Sequence, residues 1–149
     1  MITYQVETFE QCIEDIKPLL EAHYREICSH PELLVLDPDY DRYRQIEDAG
    51  MLRIFTARMG AELIGYFISV VMPHIHYRQT VYAHNDILYL DPAHRGGRTG
   101  YKLFVEAIRD LKRGGADVVV IHMKTAHPFR PLLSRLGFSL TEENWEKVV

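Results

Sequence analysis

Apolar positions along the chain change period several times, and each change marks an element. "ITYQVETF" alternates and reads as a strand. From Gln11 to Cys28 the apolar residues Ile13, Ile16, Leu19, Leu20, Tyr24 and Ile27 recur at helical spacing, and Pro18 is expected to kink or divide that helix. "SHPELLVLDPD" carries two prolines and reads as a loop, and "YDRYRQIEDAG" as a short helix stopped by Gly50. "LRIFTAR" and "ELIGYFISVVM" are strands joined by "MGA", a hairpin signal, and "PHIHYRQ" leads to a third long strand, "TVYAHNDILYL". A second amphipathic helix places Leu103, Phe104, Ala107, Ile108 and Leu111 on one face and ends at Gly114-Gly115. "DVVVIHMK" is a continuous apolar run, as in a strand buried on both faces. "FRPLLSRLGF" reads as a short helix closed by Gly137, and the tail as a last strand. The predicted order is β-α-α-β-β-β-α-β-α-β, an α/β chain whose mixed sheet combines antiparallel hairpins with one parallel pair.

Composition changes this picture little. The 149 residues, 47% of them hydrophobic, suit one domain with one core, over residues 1–149. A net charge of −4 argues against direct nucleic-acid binding. Cys12 and Cys28 read as reduced thiols of a cytoplasmic protein. No apolar run approaches the roughly 18 residues of a membrane span, and the N-terminus does not read as a secretory signal.

Candidate chemistry concentrates in "LYLDPAHRGGRTGYKLF". Between an apolar strand and a helix stand Arg95, Gly96, Gly97, Arg98, Thr99 and Gly100. Glycines leave backbone N–H groups uncovered, arginines add charge, and a helix N-terminus adds its dipole, so the stretch predicts an anion site suited to phosphate.

These residues resemble the GNAT superfamily of acyl-CoA-dependent N-acyltransferases. That family's pyrophosphate loop reads Arg/Gln-x-x-Gly-x-Gly/Ala. Here Arg95 and Gly100 match the first and last positions, and Arg98 stands where glycine is usual. "LSRLGF", Leu133 to Phe138, resembles the family's "YEKLGF". The wording of "RGGRTGYKLF", "KTAHPF" and "LDPDYDRY" is especially similar to acetyltransferase-like proteins of tailed phages and prophages.

The resemblance implies a GNAT fold, with a twisted, mostly antiparallel sheet, a splayed parallel pair and flanking helices. It also implies acetyl-CoA as co-substrate. Amides of Arg95 to Gly100 would cradle the pyrophosphate, helped by the Arg95 and Arg98 side chains, and the pantetheine arm would pair with backbone groups of Leu88, Tyr89 and Leu90. An attacking amine must first lose a proton, and the thioester oxygen must be stabilised, here by a backbone N–H of Leu88 or Leu90. By period-two alternation Asp86 and His84 share a face with Leu88 and Leu90. Asp86 is the first candidate for base or amine anchor and His84 the second. The alternative is that Asp86 only supports a strand bulge. The family's acid tyrosine is replaced by Leu133, which leaves Ser134, another hydroxyl, water, or no acid at all.

The expected acceptor is a primary amine, on a small polyamine-like molecule or a lysine side chain. By the resemblance its rim would be "LDPDYDRYRQIEDAG" plus "PHIHYRQ". The first segment carries Asp37, Asp39, Asp41, Glu47 and Asp48 interleaved with Tyr40 and Tyr43, of which Asp39, Tyr40 and Tyr43 are the chosen contacts. Arg42, Arg44 and Arg78 in the same rim would favour an acidic or phosphorylated acceptor instead. His74, His76 and His84 raise a metal reading, but no cysteine accompanies them and no metal is expected. Two further functions stay open: an acyltransferase using a longer acyl-CoA, and a non-catalytic module binding CoA or a protein partner. A homodimer also stays open.

Overall fold

The computed structural model describes residues 1–149. Strand β1 (Ile2–Glu7) leads into helix α1 (Phe9–Ile27), which starts on a capping box: the Thr8 side chain accepts from the Gln11 N–H, and Gln11 reaches back to the Thr8 N–H. Helix α1 runs through Pro18 without dividing, in contrast to the expected break. It is held on the sheet on both sides of the proline, by Phe9, Cys12, Ile13 and Ile16 before it and by Leu19, Leu20 and the buried His23 after it, and this packing outweighs the lost backbone bond. Helix α2 (Tyr40–Asp48) follows and stops before Gly50, which takes φ +71°.

Strands β2 (Leu52–Met59), β3 (Glu62–Pro73) and β4 (Val81–Leu90) form an antiparallel meander. A single turn of 3₁₀ helix (Pro92–His94) and the glycine loop then lead into α3 (Thr99–Arg113), strand β5 (Val118–Val120) and α4 (Arg130–Arg135). The five strands lie in the order β1-β2-β3-β4-β5, and only β4–β5 is parallel. This is the predicted mixed sheet.

Each face of the sheet carries its own core. On one face α1 packs Phe9, Cys12, Ile13 and Ile16 against Ile54, Leu63, Tyr66 and Ile68. On the other α3 packs Leu103, Phe104, Ala107 and Leu111 against Phe55, Ala57, Ile64 and Phe67. The expected single core is thus two clusters separated by the sheet.

Two expectations fail at the C-terminal end. The apolar run after Asp117 yields three strand residues, all half-buried, and residues 138–149 form no strand. Strand β5 pairs with β4 alone, over Tyr82–Val118, Ala83–Val119 and His84–Val120. Beyond Val120 the two diverge, and a segment without a neighbour has no ladder to satisfy. Leu140 and Trp145, apolar residues that a sixth strand would bury, are 79% and 87% exposed.

Candidate functional site

Strand β4 is the spine of the site, and one inserted residue governs it. In the pairing with β3, Asn85 faces Ser69 and Ile87 faces Ile68, so Asp86 is extra: a β-bulge. A bulge shifts the alternation by one. Ala83 packs into the α3-side core, whereas Ile87 packs against the α1-side core and Leu88 and Leu90 against the α3 side. His84 and Asp86 therefore face α1 and α2, opposite to Leu88 and Leu90. The expectation of one shared face is corrected here, because plain alternation cannot register an inserted residue.

Past the bulge, β4 is paired only on its β3 side. The Asp91 N–H donates to the Ile64 carbonyl of β3 at 2.8 Å. Counting back, Tyr89 also turns its backbone groups to β3, while Leu88 and Leu90 turn theirs to the open edge. Two contacts agree with this. A Cβ on Gly65 of β3 would come within 2.8 Å of the Tyr89 carbonyl, and the Leu90 carbonyl accepts from Arg95 Nε at 2.8 Å. Tyr89 thus leaves the expected trio of pairing groups, and Leu88 and Leu90 remain.

Asn85, not among the candidate site residues, closes the joint where the strands part. Its Oδ1 accepts the His122 N–H at 2.6 Å and its Nδ2 donates to the His122 carbonyl at 3.5 Å. A side chain thus replaces the next rung of the β4–β5 ladder. An asparagine inside an apolar strand was the available signal, since that residue is depleted in strands.

The open edge leads to the glycine loop. Asp91 Oδ1 accepts from the Ala93 N–H at 2.8 Å and fixes the turn, and Gly97 takes φ +75°, which a side chain would resist. A Cβ built on Gly96 or Gly97 would meet nothing within 4 Å, so the loop surface is open. Helix α3 begins at Thr99, and no side chain caps its N-terminus. The first-turn N–H groups keep their capacity for an anion.

The two loop arginines differ. Arg98 is exposed. Arg95 is tied down: Nη1 and Nη2 each donate to the Glu26 carboxylate at 2.6 Å, Nε holds the Leu90 carbonyl, and the guanidinium lies 5.4 Å from the centre of the Tyr89 ring. In the structure these bonds fasten α1 to the end of β4. Glu26 lies in the last turn of α1 and draws the cation there.

Below the bulge lies an aromatic wall. The Tyr43 hydroxyl of α2 donates to Asp86 Oδ2, and burial followed by that bond pushes the phenol pKa up, so Tyr43 keeps its proton. Tyr66 shares a 2.9 Å hydrogen bond with Nδ1 of His23, and His23 stacks on Tyr89 with ring centres 5.0 Å apart. Burial pushes the His23 pKa down to about 4. The sequence reading did not single out His23, a polar residue on an apolar helical stripe.

The remaining candidates separate. His84 stacks on Tyr82 and His122, at 5.8 and 5.9 Å, and burial with His122 and His74 nearby lowers its pKa. Ser134 is exposed on α4, which packs on the α3 side of the sheet, so the structure does not bring it to Asp86. Asp39 accepts the Arg42 N–H at 2.9 Å as the N-cap of α2, and Tyr40 packs near Phe9. Of the three expected acceptor contacts, only Tyr43 meets Asp86. Within the acidic rim Arg44 binds Asp41 at 2.9 Å, and the same guanidinium reaches Glu10 of α1 at 2.6 Å.

No family model matches the chain, and no curated protein does. Solved structures do. Glucosamine-6-phosphate N-acetyltransferase from Arabidopsis thaliana matches with a TM-score of 0.73 at 13% identity, over 99% of this chain and 98% of that one. A predicted acetyltransferase from Clostridium acetobutylicum, solved with acetyl-CoA, matches with a TM-score of 0.67 at 17% identity, over 99% and 96%. A transcriptional regulator from Bacillus halodurans matches with a TM-score of 0.77 at 18% identity, over the full length of both. At these identities the likeness is one of fold, and the fold of this chain is that of the GNAT acetyltransferases.

Proposed function

We propose that the chain is an acetyl-CoA-dependent N-acetyltransferase acting on a primary amine. The observation that carries this reading is the one-sided end of β4, which leads through one 3₁₀ turn into an open glycine loop and an uncapped helix N-terminus. A long ligand with an amide-bearing arm and a phosphate end fits that sequence of groups. Leu88 and Leu90 would pair with the arm, and the amides from Gly96 to Gly100 would take the pyrophosphate, with Arg98 free to add charge.

In the reaction the amine nitrogen attacks the thioester carbon, the carbon–sulfur bond breaks, and the products are an N-acetyl amine and free CoA. Asp86 receives the ammonium proton, and Tyr43 holds its carboxylate in place at the bulge. A backbone N–H on the open edge, from Leu88 or Leu90, faces the developing oxyanion. Leu133 is half-buried in the α3-side core and supplies no hydroxyl. A coenzyme thiol resembles cysteine, with a pKa of about 8.5, and leaves as thiolate without a protein acid. The second proton, which the nitrogen gives up as the amide forms, passes through solvent to the thiolate and yields free CoA.

A non-catalytic module is the second reading, favoured by the missing tyrosine at Leu133. A longer acyl group is a variant of the first. The phage affinity and a place in the cytoplasm of a bacterial host rest on the sequence wording alone. The test is thiol release from acetyl-CoA in the presence of a panel of amines. Amine-dependent release supports the enzyme; CoA binding without release for any amine supports the module.

A further inference from the structure

The hairpin between β3 and β4 carries a feature that the cofactor groove does not use. An open cleft of about 270 Å³ lies there, walled by His74, His76, Tyr82 and His84, with Met72 and Ile75 among the apolar groups at its rim. The rings are organised around one another. His74 lies 4.7 Å from both Tyr77 and Tyr82 between ring centres, and 5.6 Å from His76. Tyr82 continues the series to His84, and His84 to His122. Nδ1 of His74 accepts the His76 N–H at 3.1 Å, which fixes the loop and leaves the proton of the neutral ring on Nε2. No three of these side chains are placed to hold a metal ion. The cluster presents ring faces, not converging lone pairs.

From this arrangement we infer that the cleft binds the body of the acceptor, and that the acceptor is a primary amine carried by a short alkyl arm on a flat aromatic or heteroaromatic ring. The inference rests on the acetyltransferase reading and names its substrate class. The cleft ends at His84, and Asp86 follows two positions along the same face of β4, a separation of about 7 Å, within reach of a short alkyl arm. A ring laid on Tyr82 and the imidazoles gains stacking contact, and its ammonium group then points toward the Asp86 carboxylate. No carboxylate lines the cleft, so a polycationic amine has no counter-charge there. The walls expose mostly apolar surface, which suits a flat ring better than the hydroxyls of a sugar.

The test compares tryptamine, hexylamine and glucosamine by calorimetry and by the imidazole C–H signals in NMR, on the full chain without acetyl-CoA. Tryptamine is expected to bind more tightly than either control and to shift the His74 and His84 signals. His76→Ala, on the exposed loop, and His84→Ala are each expected to weaken it about 3- to 10-fold, the scale of one aromatic contact. Equal or tighter binding of hexylamine or glucosamine overturns the inference, as does tryptamine binding that both variants leave unchanged. Binding is read apart from turnover, so the two readings fail separately. Tryptamine bound, with no thiol release from acetyl-CoA for any amine of the panel, removes the enzyme and keeps the cleft. Glucosamine acetylated without tryptamine binding removes the cleft and keeps the enzyme.

Discussion

The two halves of β4 have the same length, yet they do opposite things. From Val81 to Asn85 the strand is held on both edges, by β3 and by β5 or its Asn85 substitute. From Asp86 to Leu90 it is held on one. The first half behaves as sheet. The second has unspent backbone groups, a carboxylate at its start and an open glycine loop beyond its end. A single inserted residue separates the two regimes, because the bulge turns Asp86 toward α2 and sends Leu88 and Leu90 to the other core. The lesson is that this site is built by withholding a partner strand, with the glycine loop placed where the withheld edge ends.

The strongest way to break the comparison is at Asp86. If the one-sided half does chemistry, Asp86→Asn removes the proton acceptor while leaving a hydrogen-bond partner for Tyr43. The expected outcome is a fall of about 10²–10⁴-fold in kcat with unchanged affinity for CoA, measured by steady-state thiol release and calorimetry. Unchanged kcat would reduce Asp86 to a bulge residue.

The next effect concerns what lies beneath the one-sided half. His23 stacks under Tyr89 with its pKa held at about 4, against 6.5 for an ordinary histidine. Between those values the unfolded chain binds the proton and the folded chain does not, so stability falls as pH drops from about 6.5 to about 4. Below that both states are protonated and His23 adds no further loss. The shift corresponds to at most about 3 kcal/mol. Urea unfolding across that range should show the slope, and His23→Leu should flatten it even though it leaves the Tyr66 hydroxyl unpaired and lowers stability at neutral pH. A second loss at lower pH belongs to Glu7. Burial would raise its pKa, but bonds from Arg58, Thr56 and Gln5 prevail and hold it at about 2. That loss begins near the ordinary value of 4.5, after most of the His23 effect is complete.

These differences also mark how far the sequence could be read. The hairpin at "MGA", the amphipathic α3 and the glycine loop depend on neighbours within a few positions, and they appear where the pattern puts them. The bulge does not, because the extra residue in β4 is defined by the register against β3, a relation between distant segments. The same holds for Arg95. Its place in the loop motif was legible, but its partner Glu26 lies 69 positions away on α1. The apolar run after Asp117 promised a long buried strand, and only three residues deliver it, because strand length is set by the neighbour as well as by the run itself. His23 and Asn85 were passed over because each is polar within an apolar pattern, and only the fold supplies Tyr66 and His122 as their partners.

The finest test lies at the boundary between the two halves. Asn85 is 7% exposed and both ends of its amide are engaged with the His122 backbone. Asn85→Ala removes the acceptor of one half-buried N–H and the donor of one carbonyl, so it should cost about 1 kcal/mol in urea unfolding. Asn85→Asp separates the two contacts. It keeps an oxygen for the 2.6 Å bond from the His122 N–H and loses only the longer 3.5 Å bond to the His122 carbonyl. If the shorter bond sets where the strands part, the aspartate variant should retain more CoA affinity than the alanine variant at neutral pH. Equal losses in both would assign the joint to the amide as a whole, and no loss in either would show that the gap opens at the bulge without help from Asn85.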